Sequence, residues 1–173
     1  RVFTRILLKL SGELLAAPGG QGIDPQAAAA VVARVREALD LGVQVGLVVG
    51  AGNRFRGLGA SGRAMERCSA DAIGMLATVM NALALRDAFA AQGVTAEVQS
   101  AIGMTGIVDP FDQRRAVALL EAGRPVLFAG GPGHPFFTTD TTAALRACEI
   151  GADVLLKGTK VDGIYAEDPV RHP

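Results

Sequence analysis

The sequence has few of the residues that build disulfide scaffolds and metal centres. It contains two cysteines, Cys68 and Cys148, two histidines, His134 and His172, and no CxxC motif. Widely separated cysteines favour reduced thiols in a cytoplasmic protein over a disulfide framework or a zinc site. We therefore expect no metal site made by these side chains.

The sequence also lacks an excess of charge of either sign. Lys and Arg number 17, Asp and Glu also number 17, and the formal net charge is zero, which disfavours general nucleic-acid binding. We expect no signal peptide, and no uninterrupted apolar run in the given sequence is long enough to span a membrane. At 173 residues, with 50% hydrophobic residues and 22 glycines, the chain fits one globular α/β domain.

Apolar runs alternate with helical patterns along the chain. Buried strands are predicted at residues 2–10, 43–49, 94–99, 125–129 and 152–157. Helices are predicted at residues 25–42, 111–123 and 141–150, with Asp24 as the first N-cap, and residues 61–91 are predicted as one long helix or two joined ones. A turn is predicted at 107–110. This alternation predicts a parallel, doubly wound sheet.

The stretch GPGHPFFTTD at residues 131–140 combines a glycine- and proline-rich loop with two aromatics and a polar helix start. The first N–H groups of a helix lack internal partners and attract negative charge, so this stretch is a candidate anion site. An ordinary loop whose Thr or Asp caps the next helix explains the same residues.

Two further loops follow predicted strands. Lys9 ends the first strand before a Ser-Gly turn, where open α/β sheets bind ligands, although a lysine there can also extend along the surface into solvent. The second strand leads into GAGNRFRG at residues 50–57, where glycines and two arginines suit a phosphate group. Neither a Walker motif nor a dinucleotide fingerprint directly after a strand is present.

Three other features allow both a functional and a structural interpretation. Three polar residues and a glycine share one side of the apolar stretch 61–91, which suits either a binding surface or a polar pair at a helix–helix or subunit contact; they are Asp71, Gly74, Thr78 and Asn81. The apolar residues around them predict burial in an oligomer interface; they are Leu76, Val79, Met80 and Leu83. A glycine-bounded turn follows at 158–165. Nucleotide phosphates and ribose could be held there by Lys157, Lys160, Thr159 and Asp162, or the turn is a basic surface hairpin.

Five motifs in this order together resemble the bacterial UMP kinases of the amino acid kinase family. They are KLSGE at 9–13, GAGNRFRG at 50–57, DAIGMLATVMN at 71–81, PFFTTD at 135–140 and KGTKVDGIYAEDP at 157–169. The resemblance covers essentially the whole chain. It implies a three-layer αβα sandwich around a mostly parallel sheet, with residues 1–125 as the UMP-binding and oligomerisation lobe and 126–173 as the start of the ATP-binding lobe.

The resemblance also implies an activity, which is Mg²⁺-dependent transfer of the ATP γ-phosphoryl group to UMP in pyrimidine nucleotide synthesis. A homohexamer, activation by GTP through the loop at 19–24 and inhibition by UTP are further family properties. Family members continue several dozen residues beyond Pro169, so the resemblance implies that a C-terminal part is missing. The start at Arg1 without Met is a further reason to expect an incomplete chain.

The resemblance assigns roles to individual residues. The catalytic positions are Lys9, Arg56 and Asp140. The ATP-binding positions are Lys9, Leu10, Ser11, Gly12, Gly52, Arg56, Thr159, Tyr165 and Asp168. The UMP-binding positions are Ala51, Asp71, Pro132, Gly133, His134, Pro135, Phe136, Phe137, Thr138 and Thr139.

Two departures from the family pattern affect the UMP-binding positions. Ala51 replaces a usual glycine, which is tolerated only if its φ is not positive. Pro132-Gly133-His134 replaces a more usual Thr-Gly-Asn and so changes the donors of that loop. Two alternatives remain at this stage: a carboxylate kinase of the same fold, and a non-catalytic relative that binds nucleotides or oxyanions.

Overall fold

A six-stranded parallel sheet forms the centre of the computed structural model, which describes residues 2–55 and 65–158. The strands are β1 (Arg5–Leu10), β2 (Gln44–Val49), β3 (Glu97–Ser100), β4 (Asp109–Pro110), β5 (Val126–Ala129) and β6 (Val154–Lys157). Their spatial order is β4-β3-β5-β2-β1-β6, and every pairing between them is parallel. The predicted parallel sheet is confirmed.

Four α-helices connect these strands in the described part of the chain. They are α1 (Pro25–Asp40), α2 (Arg67–Ala91), α3 (Gln113–Glu121) and α4 (Thr139–Ile150). Asp24 caps α1 through the N–H of Gln26, as predicted, and Pro25 occupies the first helical position, where no intrahelical donor is needed. Gly151 ends α4 with a left-handed φ of 63°, a conformation that glycine adopts without steric cost.

The hydrophobic core lies in two layers, one on each face of the sheet. Helices α1 and α2 cover the face that carries Val45, Leu47 and Val49 of β2. Helices α3 and α4 cover the opposite face, where Val48 packs with Leu7. Because successive strand residues point to opposite faces, β2 must be apolar along its whole length to fill both layers. This is the predicted three-layer αβα sandwich.

The turn predicted at 107–110 is partly wrong, because Asp109 and Pro110 form the short edge strand β4. They pair with Gln99 and Ser100 of β3, and the N–H of Phe111 donates to the Ser100 carbonyl. A proline is compatible with this position because an edge strand needs hydrogen bonds on one side only. Tertiary pairing, which local turn chemistry does not reveal, determines this element.

Helix α2 begins at Arg67, with Glu66 as its N-cap, and residues 61–64 of the predicted helical stretch lie outside the described residues. By length and composition it is long and apolar enough to cross a membrane. Val79 and other side chains of its inner face are nonetheless buried in the core, as in the central helix of a globular domain. The predicted oligomer surface therefore needs correction: Val79 is buried, Leu83 is half-buried, and Leu76 and Met80 are exposed.

Candidate active site at the carboxyl ends of the strands

The predicted site segments meet at the carboxyl-terminal edge of the sheet. Parallel strands bring the residues that follow them to a common edge, which is where open α/β sheets bind ligands. Here β1 leads into Ser11 and Gly12, β2 into the loop at 50–53, and β5 into the loop at 130–138. The last residue of β6, Lys157, reaches the same edge.

A cluster of three charged side chains lies at this edge. The Lys9 Nζ is 2.8 Å from Asp140 Oδ1, and the Lys157 Nζ is 2.8 Å from Asp140 Oδ2. Lys9 and Lys157 are register partners in the β1–β6 pair, so two like charges stand side by side. Such a pair is unfavourable without a counter-charge, and Asp140 in the first turn of α4 supplies it.

Asp140 is held in its ionised form. Partial burial acts to raise its pKa, but the hydrogen bonds from Lys157 and Lys9 outweigh that effect and lower the pKa below its ordinary value. The Lys9 side chain is 12% exposed, whereas that of Lys157 is 53% exposed. The cluster therefore holds a fixed carboxylate between one enclosed ammonium and one accessible ammonium, with a surplus of positive charge for a phosphate group.

The loops after β1 and β2 approach each other very closely. A Cβ atom on Gly12 would lie 2.2 Å from the Gly50 carbonyl oxygen and 2.7 Å from Asn53 Oδ1, so only glycine fits. The Gly50 N–H donates to the Leu10 carbonyl, and the Ser11 hydroxyl accepts from the Glu13 N–H. The backbone at the predicted ATP-binding positions Leu10, Ser11 and Gly12 is therefore fixed by packing as well as by hydrogen bonds.

Two polar residues of α2 form hydrogen bonds that support the loops of the site. The amide groups of Asn81 and Asn53 hydrogen-bond to each other, and Asn81 also donates to the Gly50 carbonyl. The Thr78 hydroxyl accepts from the Gly130 N–H and donates to the Met75 carbonyl. Asn81 and Thr78 are buried and hold the loops that begin at Gly50 and Gly130, which agrees with the structural interpretation of these two residues.

A cavity beside the charge cluster is formed between α2 and the loop at 130–138. Most predicted UMP-binding residues line it. Its lining consists of Ala51, Ala70, Asp71, Gly74, Met75, Thr78, Gly131, Pro132, His134, Phe137, Thr138, Thr139 and Thr142. The predicted positions Gly133, Pro135 and Phe136 belong to the same loop but are not part of this lining. Sequence reasoning missed Met75 and Thr142, which follow the helical spacing of Asp71 and Thr138.

Backbone conformation and hydrogen bonds distinguish three of the predicted UMP-binding positions: Ala51, Phe136 and Asp71. Ala51 does not have a positive φ, so its methyl group is compatible with the backbone there. Among the described residues, Phe136 is the one non-glycine with a positive φ, at 71°. The Asp71 carboxylate accepts hydrogen bonds from Arg67 Nε and from the Phe136 N–H, both at 2.7 Å and both on Oδ2.

Several predicted site residues cannot be compared with the structure. Arg56, Thr159, Tyr165 and Asp168 lie outside the described residues. Lys157 was a candidate phosphate ligand in the sequence but was not grouped with Lys9 and Asp140. The signal that identifies it is strand register, because it requires knowing that β6 pairs with β1.

Comparisons with known proteins agree with this geometry. A sequence model of the amino acid kinase family matches residues 4–173. The chain is 56% identical over 167 residues to a uridylate kinase of Zymomonas mobilis, an alignment that covers 96% of this chain and 69% of that protein.

Two solved structures are similar as well. A UMP kinase from Bacillus anthracis has a TM-score of 0.91 at 35% identity, covering 98% of this chain and 70% of that one. A UMP kinase from Ureaplasma parvum has a TM-score of 0.87 at 34% identity, covering 94% of this chain and 72% of that one. With its parallel sheet, charge cluster and adjacent cavity, the chain therefore belongs to the amino acid kinase family and groups with its bacterial UMP kinases.

Proposed function

We propose that the protein transfers the γ-phosphoryl group of ATP to UMP, giving UDP and ADP for pyrimidine nucleotide synthesis. The observation that carries this proposal is that three consecutive residues at the start of α4 connect the cavity with the charge cluster. Thr138 and Thr139 line the cavity, and Asp140 holds the two lysines. A phosphate acceptor in the cavity would thus lie next to the positive charge that phosphoryl transfer requires.

In the proposed reaction, an oxygen of the UMP phosphate attacks the γ-phosphorus of ATP. The bond from that phosphorus to the β,γ-bridging oxygen breaks, and ADP leaves with that oxygen. No covalent enzyme intermediate is needed, because positioning and charge neutralisation provide most of the catalysis. Lys9 stabilises the negative charge of the transferring group, Lys157 assists from the accessible side, and Asp140 orients both ammonium groups.

Mg²⁺ fits this site as an ion carried by the nucleotide. Among residues 2–55 and 65–158, no group of three His, Cys, Asp or Glu side chains could hold a metal ion. Mg²⁺ commonly binds substrate phosphates and water with few protein ligands, so the donor set is compatible with MgATP. The ion would neutralise phosphate charge, and Lys9 and Lys157 would hold the phosphate groups beside it.

The cavity supports a nucleotide acceptor in preference to an amino acid. Phe137 contributes an aromatic surface to the cavity, and Asp71 provides a carboxylate for a ribose hydroxyl. We assign the UMP phosphate to the side of the cavity formed by Ala51, Thr138 and Thr139. His134 takes the place of the family's usual asparagine and lies in the lining, so a ring nitrogen replaces an amide as the local polar group.

Regulation and assembly are further parts of the proposal. The exposed Ile73, Leu76 and Met80 form an apolar stripe on α2 that suits a subunit contact, which supports a homohexamer. The loop at 19–24 contacts the site, since the Gly22 N–H donates to the Asn53 carbonyl, and it is our candidate for GTP activation. We also expect UTP inhibition, a cytoplasmic location, and lobes at residues 1–125 and 126–173.

The deciding experiment is ADP formation from MgATP with UMP, with CMP and with no acceptor. Turnover with UMP and little with CMP is the expected result. UMP binding by titration calorimetry without turnover would favour a non-catalytic nucleotide-binding relative. Phosphorylation of an amino acid in place of UMP, or no UMP binding, would overturn the proposal.

A further inference from the structure

We propose that Arg67 is a positioning residue that fastens the loop at 130–138 to helix α2 and orients Asp71 toward the acceptor. This inference rests on the proposed function, because the acceptor is taken to be a ribonucleotide. Three contacts at the mouth of the cavity carry it. They join Arg67, Asp71 and Phe136, a set that we call the rim latch.

The first contact is the ion pair between Arg67 and Asp71. The Arg67 Nε donates to Asp71 Oδ2 at 2.7 Å. Helix stability does not explain this pair. Arg67 is the first residue of α2, where the helix dipole disfavours a cation, and Arg before Asp is the weaker order for an i,i+4 pair. A role outside the helix is therefore the better explanation of its position.

The second and third contacts connect the helix to the loop. The Phe136 N–H donates to the same Asp71 oxygen at 2.7 Å, and the Arg67 guanidinium lies over the Phe136 ring, 5.2 Å from its centroid. Phe136 has a φ of 71°, which is unfavourable for a bulky residue and persists only where surrounding contacts impose it. The rim latch supplies such contacts although Phe136 is 62% exposed.

The arrangement has a consequence for Asp71. Both hydrogen bonds from the described residues end on Oδ2, so Oδ1 remains available for a hydroxyl of the bound acceptor. Asp71 and Phe137 line the cavity, whereas Arg67 and Phe136 do not. Arg67 thus acts through Asp71 and the loop rather than by touching the acceptor, and its loss should weaken acceptor binding with little effect on ATP.

The test compares Arg67→Ala with Arg36→Ala, since Arg36 and Asp40 form an exposed i,i+4 pair of the same order on α1. We expect Arg67→Ala to raise the KM for UMP about tenfold, with kcat and the KM for ATP within about twofold. Arg67→Lys should recover only part of the loss, because an ammonium lacks the planar group that stacks on an aromatic ring. Arg36→Ala should change none of these constants.

Two further measurements separate positioning from general stabilisation. Hydrogen exchange of the Phe136 amide should accelerate about tenfold in Arg67→Ala, while the thermal midpoint stays within about 2 °C of wild type. In a double-mutant cycle, Phe136→Leu and Arg67→Ala should be non-additive for UMP binding.

The outcomes are distinct. If wild type phosphorylates UMP but Arg67→Ala leaves its KM unchanged, or shifts the KM for ATP equally, the rim latch is wrong and the proposed function stands. If wild type neither binds nor phosphorylates UMP, the proposed function is wrong and this inference falls with it. Strict additivity of Phe136→Leu and Arg67→Ala would also contradict the latch.

Discussion

The charge cluster and the acceptor loop lie side by side but are built differently. Lys9, Asp140 and Lys157 are carried by two paired strands and a helix start, so backbone register fixes their separation. The loop at 130–138 instead depends on positive φ angles at Gly130, Gly131, Gly133 and Phe136, and it exposes both phenylalanines. Regular elements hold groups more precisely than loops do. The three charged groups of the cluster are on regular elements, whereas the acceptor side combines Asp71 of α2 with an adaptable loop.

The largest effect is expected within the charge cluster. Lys9→Met should lower kcat about 10²- to 10³-fold, because it removes an enclosed positive charge that stabilises the transferring phosphoryl group. For Lys157→Met, the fold decrease in kcat should be about ten times smaller, because water can partly replace an exposed ammonium. Steady-state assays of ADP formation measure both. Equal losses would show that exposure does not distinguish the two lysines.

The next effect concerns the rigid base of the site. Gly12→Ala should lower the free energy of unfolding by about 2–3 kcal/mol, because the new Cβ atom overlaps the Gly50 carbonyl oxygen and the loops must separate. Gly74→Ala is the matched control, since a Cβ there meets nothing within 4 Å, and it should stabilise α2 by about 0.5–1 kcal/mol. Urea unfolding measures both. A neutral Gly12→Ala would contradict the close approach.

A selective effect is expected at the acceptor side. Asp71→Asn should weaken UMP binding about tenfold and ATP binding by less than about twofold, because a neutral amide is a poorer acceptor for a ribose hydroxyl than a carboxylate. Titration calorimetry with each nucleotide measures the two affinities separately. Equal losses for both nucleotides would count against the assigned role of Asp71.

A smaller effect should appear in the pH dependence of stability. The pKa of Asp140 is lowered in the folded protein, so its stabilising contribution is present above its unfolded pKa of about 3.9 and is lost as the pH falls through the folded value. At neutral pH this contribution should not exceed about 1 kcal/mol, because the side chain is half exposed. Urea unfolding of wild type and Asp140→Asn should therefore converge as the pH falls. A difference that grows toward acid would contradict the sign of this shift.

The smallest effect is expected from restoring the family's usual residue beside the acceptor phosphate. Ala51→Gly should change the KM for UMP by less than about twofold, because Ala51 already has a φ that both residues adopt. Steady-state kinetics with varied UMP test this. A large gain in affinity would show that the Ala51 methyl group obstructs the phosphate.

Much of the fold could be predicted from the sequence because its signals are local. The apolar runs of β1 and β2 and the Asp24 cap are patterns within a few residues, and the structure confirms them. Boundaries were less accurate, since β3 begins at Glu97 rather than residue 94. The edge strand β4 was missed because its pairing with β3 is a tertiary contact.

The candidate site was predicted unevenly for the same reason. The loops at 50–53 and 130–138 follow strands, so a parallel sheet brings them together, and the cavity contains most of their predicted residues. The Asn53–Asn81 amide pair connects a loop with a distant helix, and sequence spacing leaves its partners open. The strained Phe136 had no sequence signal, because aromatic residues rarely adopt a positive φ.

By itself the sequence determined the alternation of elements, the parallel, doubly wound sheet and the edge of the sheet where the site lies. Hydrophobic periodicity and turn chemistry act over a few residues, so they specify these features directly. Only the tertiary structure decided that Lys157 joins Lys9 on Asp140, that Thr78 and Asn81 support the loops, and that Arg67 reaches Phe136. Each of these contacts joins distant parts of the chain, and strand register and core packing determine such contacts.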